Sequence, residues 1–250
     1  MDTFDLIVDA LRDFSDNHSP IHFILIFDEW KLFLRGVSNT IVLVGISLVS
    51  GGLLALPIGV CRALRVPILN EIAYAYIYVV RGTPLLIQLY LIYYGVGQFE
   101  FVRDSFLWPF LREPWWCALT AFTISTSAYT AEAIRGGLEG VPKGEVEACI
   151  AAGMSRLQAL RRVIVPSAYR RALPAYGNEV IFLIHASVVA STVTVIDIVG
   201  AARHFNNKFF LAYEGFIAAA ILYLIIVYLF TLVYRRLENR WHRHLRPIEA

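Results

Sequence analysis

Long stretches of this 250-residue chain carry almost no charged side chain. They are residues 36–61, 72–99, 114–131, 172–202 and 215–234, and their only charges are Arg81, Glu179 and Asp197. A membrane-spanning helix needs about 20 mostly apolar residues. The pattern therefore predicts an all-α polytopic membrane protein with five transmembrane helices, near residues 37–62, 72–98, 115–136, 172–199 and 211–236. Membrane strands are excluded, because they appear as alternating segments of about ten residues.

Composition supports the membrane class. Apolar residues make up 58% and charged residues 17%, against roughly 45–50% and about 25% in soluble domains. The net charge of +2 is too small to suggest a nucleic-acid partner. Cys61, Cys117 and Cys149 stand alone, so neither a disulfide framework nor a zinc ribbon is expected.

The distribution of Lys and Arg predicts the orientation, because cytoplasmic loops are enriched in both. With five spans, fourteen of these residues fall on the side of the 135–171 loop and the C-terminus, and seven fall on the other side. We expect the C-terminus in the cytoplasm and the N-terminus outside. Three parts follow: an extracytoplasmic or interfacial segment 1–35, with an interfacial stretch at 21–27, a transmembrane domain 36–236 and a basic cytoplasmic tail 237–250. The acidic N-terminus excludes a cleaved signal peptide, which begins with basic residues.

The motifs of several enzyme classes are absent. The three lysines follow Trp30, Pro142 and Asn207, so no Gly-Lys pair is present for a phosphate-binding P-loop. The chain is expected not to hydrolyse ATP and not to be an enzyme. His18 and His22 have the spacing of metal ligands, but Pro20 lies between them, so we expect no metal and no cofactor.

The loop between the third and fourth spans is too long to be a simple connection. Its sequence predicts two short helices at about 142–166. Pro142 suits a first helical position, Gly153 a left-handed stop, and Ser155 with Gln158 a capping box. Pro166 is expected to end the second helix. Apolar residues form one face of this pair: Val146, Ile150, Leu157, Leu160 and Ile164. The face either docks into a partner's groove or lies on the membrane.

Polar side chains inside the spans are costly in lipid and are therefore candidates for function. On a continuous helix over 178–197, one face carries a polar group composed of Ser187, Ser191, Thr194, Glu179 and Asp197. His185 lies on the opposite face, and Thr130 belongs to a polar stripe of the third span. The serines and threonines either line a pathway or join helices by hydrogen bonds. Glu179 and Asp197 suit selection of a cationic substrate.

Arg81 has two interpretations. In a straight second span it lies deep in the membrane and must be paired. If Gly82 and Pro84 break the helix, residues 70–80 lie along the inner surface, the span runs over 82–99, and Arg81 reaches the headgroups. The second interpretation is preferred.

Several motifs together resemble the permeases of ABC importers. Glu147-Ala148-Cys149, Gly153 and Val163-Ile164-Val165-Pro166 resemble the EAA loop, with small or apolar departures at Cys149, Val163 and Val165. Three further segments resemble the polar amino-acid branch: Arg81-Gly82-Thr83-Pro84, residues 127–132 and residues 172–180. The resemblance covers about residues 36–240 and is greatest to the M-type permeases for histidine, lysine, arginine, ornithine and opines.

The resemblance implies the assembly and the function. It implies a bacterial inner-membrane permease with a second permease subunit, homologous or identical, two ATP-binding subunits and an extracytoplasmic amino-acid-binding protein. It assigns coupling to the ATPase to Glu147, Ala148, Gly153 and Pro166. Relatives with cationic substrates carry His at the position of His185, where others carry Lys. The alternative is a secondary amino-acid transporter that works without an ATPase; such transporters usually show inverted repeats, and none is visible here.

Overall fold

A computed structural model describes residues 24–241, which contain helices and no strand. His18, His22, most of the predicted N-terminal segment and the tail from residue 242 lie outside the described residues. The helices are α1 Ile24–Asp28, α2 Trp30–Ala63, α3 Leu69–Gly82, α4 Leu85–Tyr90, α5 Glu100–Arg103, α6 Trp108–Leu111, α7 Pro114–Glu139, α8 Lys143–Ala151, α9 Arg156–Ala159, α10 Val165–Ala186, α11 Ile198–Phe209 and α12 Ala212–Trp241. Leu91–Gly95 and Leu160–Ile164 form π-helical turns, and Val96–Gln98 and Ser187–Val193 form 3₁₀ turns.

The all-α membrane fold is confirmed, but the five predicted spans are not equivalent. Within the described residues, three helices are long and apolar enough to cross a membrane: Trp30–Ala63, the continuous Arg156–Val193 and Ala212–Arg236. The predicted span 115–136 corresponds to α7, which is not among them. Its 26 residues measure about 39 Å, so it is long enough. Its serines and threonines lower its apolarity, and most of them are buried.

Helix α7 lies at the centre of the bundle and packs against α2 on one side and α10 on the other. Small residues allow the backbones of α2 and α7 to approach closely. A Cβ atom added at Gly59 would lie 2.7 Å from the carbonyl oxygen of Ala131, and one added at Gly51 would lie 2.8 Å from the Thr126 side chain. Small residues at a helix contact are typical of membrane bundles, where packing is the main attraction between helices.

The helix predicted over 72–98 is not continuous, and the preferred interpretation of a break at Gly82 and Pro84 is confirmed. Helices Leu69–Gly82 and Leu85–Gln98 meet at 102°. Thr83 is extended, as expected for a residue before proline. The side-chain amide of Gln88 donates to the carbonyl oxygens of Val80 (2.7 Å) and Thr83 (3.0 Å), which fixes the bend.

The predicted single helix over 172–199 is also wrong, because the helix ends at Val193. The chain tightens into the 3₁₀ turn, reaches Thr194 in a left-handed conformation (φ 66°) and starts again at α11, with Asp197 as the N-cap. Helix α11 was not predicted, because residues 200–210 lie between the fourth and fifth predicted spans. Its buried side chains, Ile198, Ala201, Ala202 and Phe205, have the spacing of an amphipathic helix, so the signal was present.

The two predicted short helices before α10 form as expected, with one correction. Gly153 is left-handed (φ 68°), and Ser155 and Gln158 form the capping box. Pro166 does not end the second helix, because the chain continues as one helix to Val193. A proline ring disrupts the bond to the carbonyl four residues earlier. The π turn Leu160–Ile164 directly before Pro166 absorbs this disruption.

Candidate functional site

The segment 143–164, here called the 143–164 hairpin, projects apolar side chains away from the bundle. Ile150 is 71% exposed and Leu157 is 72% exposed, and Leu160 is also exposed. These residues belong to the apolar face predicted from the sequence. A row of exposed apolar side chains of this kind marks a surface for a partner or a membrane.

The residues assigned to coupling all belong to this hairpin or its end. Glu147, Ala148 and Gly153 are exposed, whereas Cys149 is buried beneath them. Pro166 is the second residue of α10 and is half-buried. The guanidinium of Arg171 contacts the Glu145 carboxylate at 3.5 Å. This contact joins the start of the hairpin to α10.

A second candidate site is a groove along α7, here called the Arg81 groove. Arg81, Gly82, Tyr129 and Glu132 line one part of it, and Arg81, Ser125, Tyr129 and Phe182 line the adjoining part. The Arg81 guanidinium lies 5.0 Å from the centre of the Tyr129 ring, and that ring lies 5.7 Å from the ring of Phe182. The aromatic faces therefore already bind one cation.

At the end of the Arg81 groove near Glu132, positive and negative side chains are close to balanced. Glu132 and Glu139 both pair with Arg135, and Arg62 and Arg81 interact electrostatically with Glu132. Arg62 also stacks on Tyr74 at 4.9 Å. The guanidinium groups near the bend between α3 and α4 thus contact either carboxylates or aromatic rings.

Glu179 and Thr130, both predicted for the pathway, are buried within the bundle. The Thr126 hydroxyl of α7 donates to the Glu179 carboxylate at 3.3 Å, and Arg81 interacts with Glu179 electrostatically. Within residues 24–241, Glu179 forms no ion pair and the Thr130 hydroxyl has no hydrogen-bond partner. A buried carboxyl group held by one neutral donor is costly to ionise unless a positive charge comes close.

Ser187 and Asp197 meet at Tyr223 of α12 rather than along one helix face. The Tyr223 hydroxyl lies 3.1 Å from the Ser187 hydroxyl and donates to Asp197 at 3.3 Å. The Gly200 amide donates to the other Asp197 oxygen at 2.6 Å. One carboxylate oxygen therefore caps α11, which is the structural role of an N-cap, and the other joins the start of α11 to α12.

The remaining predicted pathway residues take no part in the hydrogen bonds around Tyr223. The buried Ser191 hydroxyl donates to the Val188 carbonyl of its own helix at 2.8 Å. Thr194 is exposed at the left-handed turn. His185 is exposed and lies three residues after Phe182, so it shares the Phe182 side of α10.

The structure thus divides the predicted set. Glu179 lies beside the Arg81 groove through Thr126 and Arg81, His185 continues that side of α10, and Ser187 and Asp197 support the fold around Tyr223. Sequence reasoning missed Tyr129, Phe182 and Tyr223 as site residues. Tyr129 stood inside a quoted motif, and Arg81 was already recognised as a charge in an apolar stretch. The contacts between helices that join them have no signal in a single sequence.

Comparison with known proteins identifies the class. Residues 51–243 match the family described as the inner membrane component of binding-protein-dependent transport systems. The chain belongs to this family. It is therefore a permease, a transport component of an ABC importer and not an enzyme, and ATP hydrolysis lies in separate subunits.

Two named relatives are similar over almost their whole length. The nopaline transport system permease protein NocM of Agrobacterium fabrum is 40% identical over 89% of this chain and 92% of its own. The histidine/lysine/arginine/ornithine permease HisM of Escherichia coli is 38% identical over 89% and 97%. The crystal structure of an amino acid ABC transporter with histidines matches with a TM-score of 0.79 and 31% identity, over 88% of this chain and 99% of that one.

These findings place the chain in the inner membrane as a multi-pass subunit that works with ATPase and binding-protein partners. They confirm the resemblance stated from the motifs. The alternative of a secondary transporter working without an ATPase is wrong, because the family depends on a binding protein and an ATPase.

Proposed function

We propose that this permease moves cationic amino acids or opines into the cytoplasm. Support comes from the names of its relatives, which transport nopaline, octopine or histidine, lysine, arginine and ornithine. The working unit contains a second permease subunit, a homologue or a second copy, with two ATP-binding subunits. The N-terminus lies outside and the C-terminus in the cytoplasm, in keeping with the excess of Lys and Arg on the side of the 143–164 hairpin.

The main observation in support of a cationic substrate is the buried carboxyl group of Glu179, which forms no ion pair. Removing a carboxylate from water is costly, and the Thr126 hydroxyl compensates only partly. A guanidinium or ammonium group of a substrate passing α7 and α10 supplies the missing positive charge. The exposed His185, which carries no obligatory charge, does not repel such a substrate as a lysine would.

The Arg81 groove provides the route next to that carboxylate. Arg81 occupies the Tyr129 ring, which is also a good surface for a substrate guanidinium. A cationic substrate that takes the Tyr129 face displaces Arg81, and Arg81 returns when the substrate leaves. Exchange of one cation for another on the same ring keeps the Tyr129 face occupied between transport cycles.

The 143–164 hairpin transmits the movement of the ATPase subunits. Glu147, Ala148 and Gly153 lie at its exposed surface beside Ile150 and Leu157, which suits insertion into a groove of the ATPase. Because α9, the π turn and α10 form one continuous helix, a rotation of the hairpin moves α10 and hence Glu179. Rigid-body movement of this kind is a common basis of alternating access.

The substrate assignment is tested with Glu179→Gln in the assembled transporter, reconstituted with its binding protein. Glutamine keeps the acceptor for Thr126 but removes the charge. Arginine uptake is expected to fall at least about tenfold, because loss of a buried charge contact costs roughly 2–5 kcal/mol. ATP hydrolysis stimulated by the arginine-loaded binding protein is expected to persist, so the uptake per ATP hydrolysed falls.

The matched control is Glu100→Gln, which removes a carboxylate from the exposed short helix α5. It is expected to leave both uptake and hydrolysis unchanged. An unchanged uptake per ATP in Glu179→Gln would remove Glu179 from the pathway. Loss of hydrolysis and uptake together would place it in the coupling machinery instead.

A further inference from the structure

Arg81 is an arginine with no bonded acidic partner in the groove that the substrate is proposed to use. Its guanidinium lies over the Tyr129 ring, and it interacts electrostatically with Glu132 and Glu179. Among the residues that the structure describes, it forms neither an ion pair nor a hydrogen bond. A guanidinium carries five N–H donors, and Arg81 is exposed to the groove. Its donors are therefore available to a ligand.

The Ser125 hydroxyl is a second unused polar group in this groove. Ser125 lies on α7, one turn before Tyr129, and lines the same part of the groove as Arg81. The residue is only 3% exposed, yet its hydroxyl forms no hydrogen bond within the described part of the chain. Buried hydroxyls normally have a partner. A buried hydroxyl that lacks one and borders a cavity is placed to bind a ligand.

Arg81 and Glu179 are opposite charges that interact without pairing. The two groups attract each other electrostatically, but the Glu179 carboxylate accepts its hydrogen bond from Thr126. Glu132 does not replace it as a partner of Arg81, because Glu132 pairs with Arg135. Two neighbouring charges that do not neutralise each other suit a ligand that carries both signs, because each charge of the ligand then gains a partner.

We propose that Arg81 and Ser125 bind the α-carboxylate of the transported amino acid. This inference rests on the proposed function, in which the cationic group of the substrate meets Glu179 and the Tyr129 ring. Every α-amino acid also carries a carboxylate, which accepts two parallel hydrogen bonds from a guanidinium and another from a hydroxyl. The adjoining parts of the groove have volumes of about 320 and 280 Å³, and small-molecule sites measure roughly 300–1,000 Å³.

These contacts make Arg81 a specificity-determining residue. When the substrate cation takes the Tyr129 ring, Arg81 loses the attraction of the ring and gains a bidentate partner in the carboxylate. A cationic amine without a carboxylate displaces Arg81 without this gain. The groove therefore distinguishes an amino acid from an amine that has the same side chain.

The test compares L-arginine with L-argininamide, in which a neutral amide of nearly the same size replaces the carboxylate. Each is titrated into the assembled transporter in detergent without binding protein, and native mass spectrometry counts the bound molecules. The wild type is expected to bind arginine at least about tenfold more tightly, because hydrogen bonds between charged groups are stronger than neutral ones. In Arg81→Gln, the affinity for arginine is expected to fall to that for argininamide, which itself changes little.

Two further variants sharpen the comparison. Arg103→Gln, the matched control, removes an exposed arginine from α5 and is expected to keep the wild-type preference. The same loss in Arg103→Gln would assign the effect to net charge and overturn the proposal. Ser125→Ala is expected to lower the preference about two- to tenfold, since a hydroxyl is a neutral donor. A site on an unaltered second permease subunit binds equally in every variant, so the count of bound molecules separates it from the site on this chain.

The remaining outcomes have distinct meanings. Equal affinity of the wild type for arginine and argininamide overturns the proposal without any variant. A preference retained in Arg81→Gln also overturns it, and so does an equal loss of both ligands, which would mean that Arg81 only shapes the groove. Citrulline, whose side chain is neutral, separates this inference from the proposed function: equal binding of arginine and citrulline would contradict the cation site at Glu179 and leave the carboxylate site standing. Absence of arginine binding would overturn both.

Discussion

The α2–α7 interface and the 143–164 hairpin solve opposite packing problems within one chain. At the interface, Gly51 and Gly59 leave no room for a Cβ atom beside α7. On the hairpin, Ile150 and Leu157 are more than two-thirds exposed. Small residues at the interface allow two backbones to approach closely, whereas the hairpin exposes large apolar residues on its surface.

This difference indicates that the α2–α7 interface is a rigid part of the molecule and that the hairpin is a binding part. A tightly packed interface moves as one body, because packed cores do not deform continuously. An exposed apolar hairpin gains its stabilisation only when a partner covers it. The predictions below change one property at a time, from the largest expected effect to the smallest.

The largest effect is expected from polar substitutions on the hairpin. Ile150→Asp together with Leu157→Asp is expected to weaken binding of the ATPase subunit by roughly 2–4 kcal/mol, the range of residues that dominate an interface. Capture of the purified ATPase at a series of concentrations measures this loss. The thermal midpoint of the permease itself is expected to stay unchanged, because both side chains are already exposed.

Phe101→Asp with Phe106→Asp is the matched control for the hairpin. These aromatic residues are 74% and 82% exposed. Phe101 lies in α5 and Phe106 in the turn between α5 and α6. Equal loss of ATPase capture in both double variants would mean that general surface apolarity, and not the hairpin, recruits the partner.

The next effect is expected at the interface. Gly59→Ala places a methyl group 2.7 Å from the Ala131 carbonyl oxygen and 2.9 Å from the Ile134 side chain. The helices must separate, which costs roughly 1–3 kcal/mol. The midpoint of unfolding in a denaturing detergent series measures this change.

Gly52→Ala serves as the control in the same helix, because nothing lies within 4 Å of its added Cβ. It is expected to be neutral or to stabilise by about 0.5–1 kcal/mol through helix propensity. Equal stability of the two variants would show that α2 and α7 separate without cost, and the interface would then not be a rigid body.

How much the sequence predicts differs between these two regions. The hairpin follows local rules, so Gly153 and the Ser155–Gln158 capping box were predictable residue by residue. The central position of α7 was not, because it depends on which helices face one another. Its buried serines and threonines even weaken the signal that the other spans give.

The candidate site was also predictable only in part. Charges in apolar stretches identified Arg81, Glu179 and Asp197 as unusual, and all three make specific contacts in the structure. The roles of Glu179 and Asp197 could not be separated from the sequence, because the analysis of helix faces assumes one continuous helix over 178–197. The left-handed turn at Thr194 moved Asp197 onto the start of α11, and no periodicity reports such a break.

A smaller effect is expected at the turn of the hairpin. Gly153→Ala places a side chain at φ 68°, which costs roughly 1–2 kcal/mol for residues other than glycine. Open space surrounds the position, so the penalty is conformational and not steric. Hydrogen exchange of the amides of α8 is expected to accelerate by about five- to thirtyfold.

Gly144→Ala is the control for the turn. Gly144 lies in α8 with no positive φ and open space around it, and alanine there is expected to slow exchange slightly. Faster exchange in Gly144→Ala than in Gly153→Ala would mean that α8, and not the left-handed turn, limits the stability of the hairpin.

The smallest effect is expected at the capping box. The Ser155 hydroxyl accepts from the Gln158 amide at 3.3 Å, and the Gln158 side chain accepts from the Ser155 amide at 2.9 Å. Ser155→Ala removes the first bond and is expected to cost about 1 kcal/mol, seen as faster exchange of the Gln158 amide. Ser155→Asp keeps an acceptor and is expected to exchange as the wild type does. The same helix continues to Val193, but amide exchange beyond the π turn is expected to be unaffected. Faster exchange there would show that the hairpin and the bundle unfold as one unit.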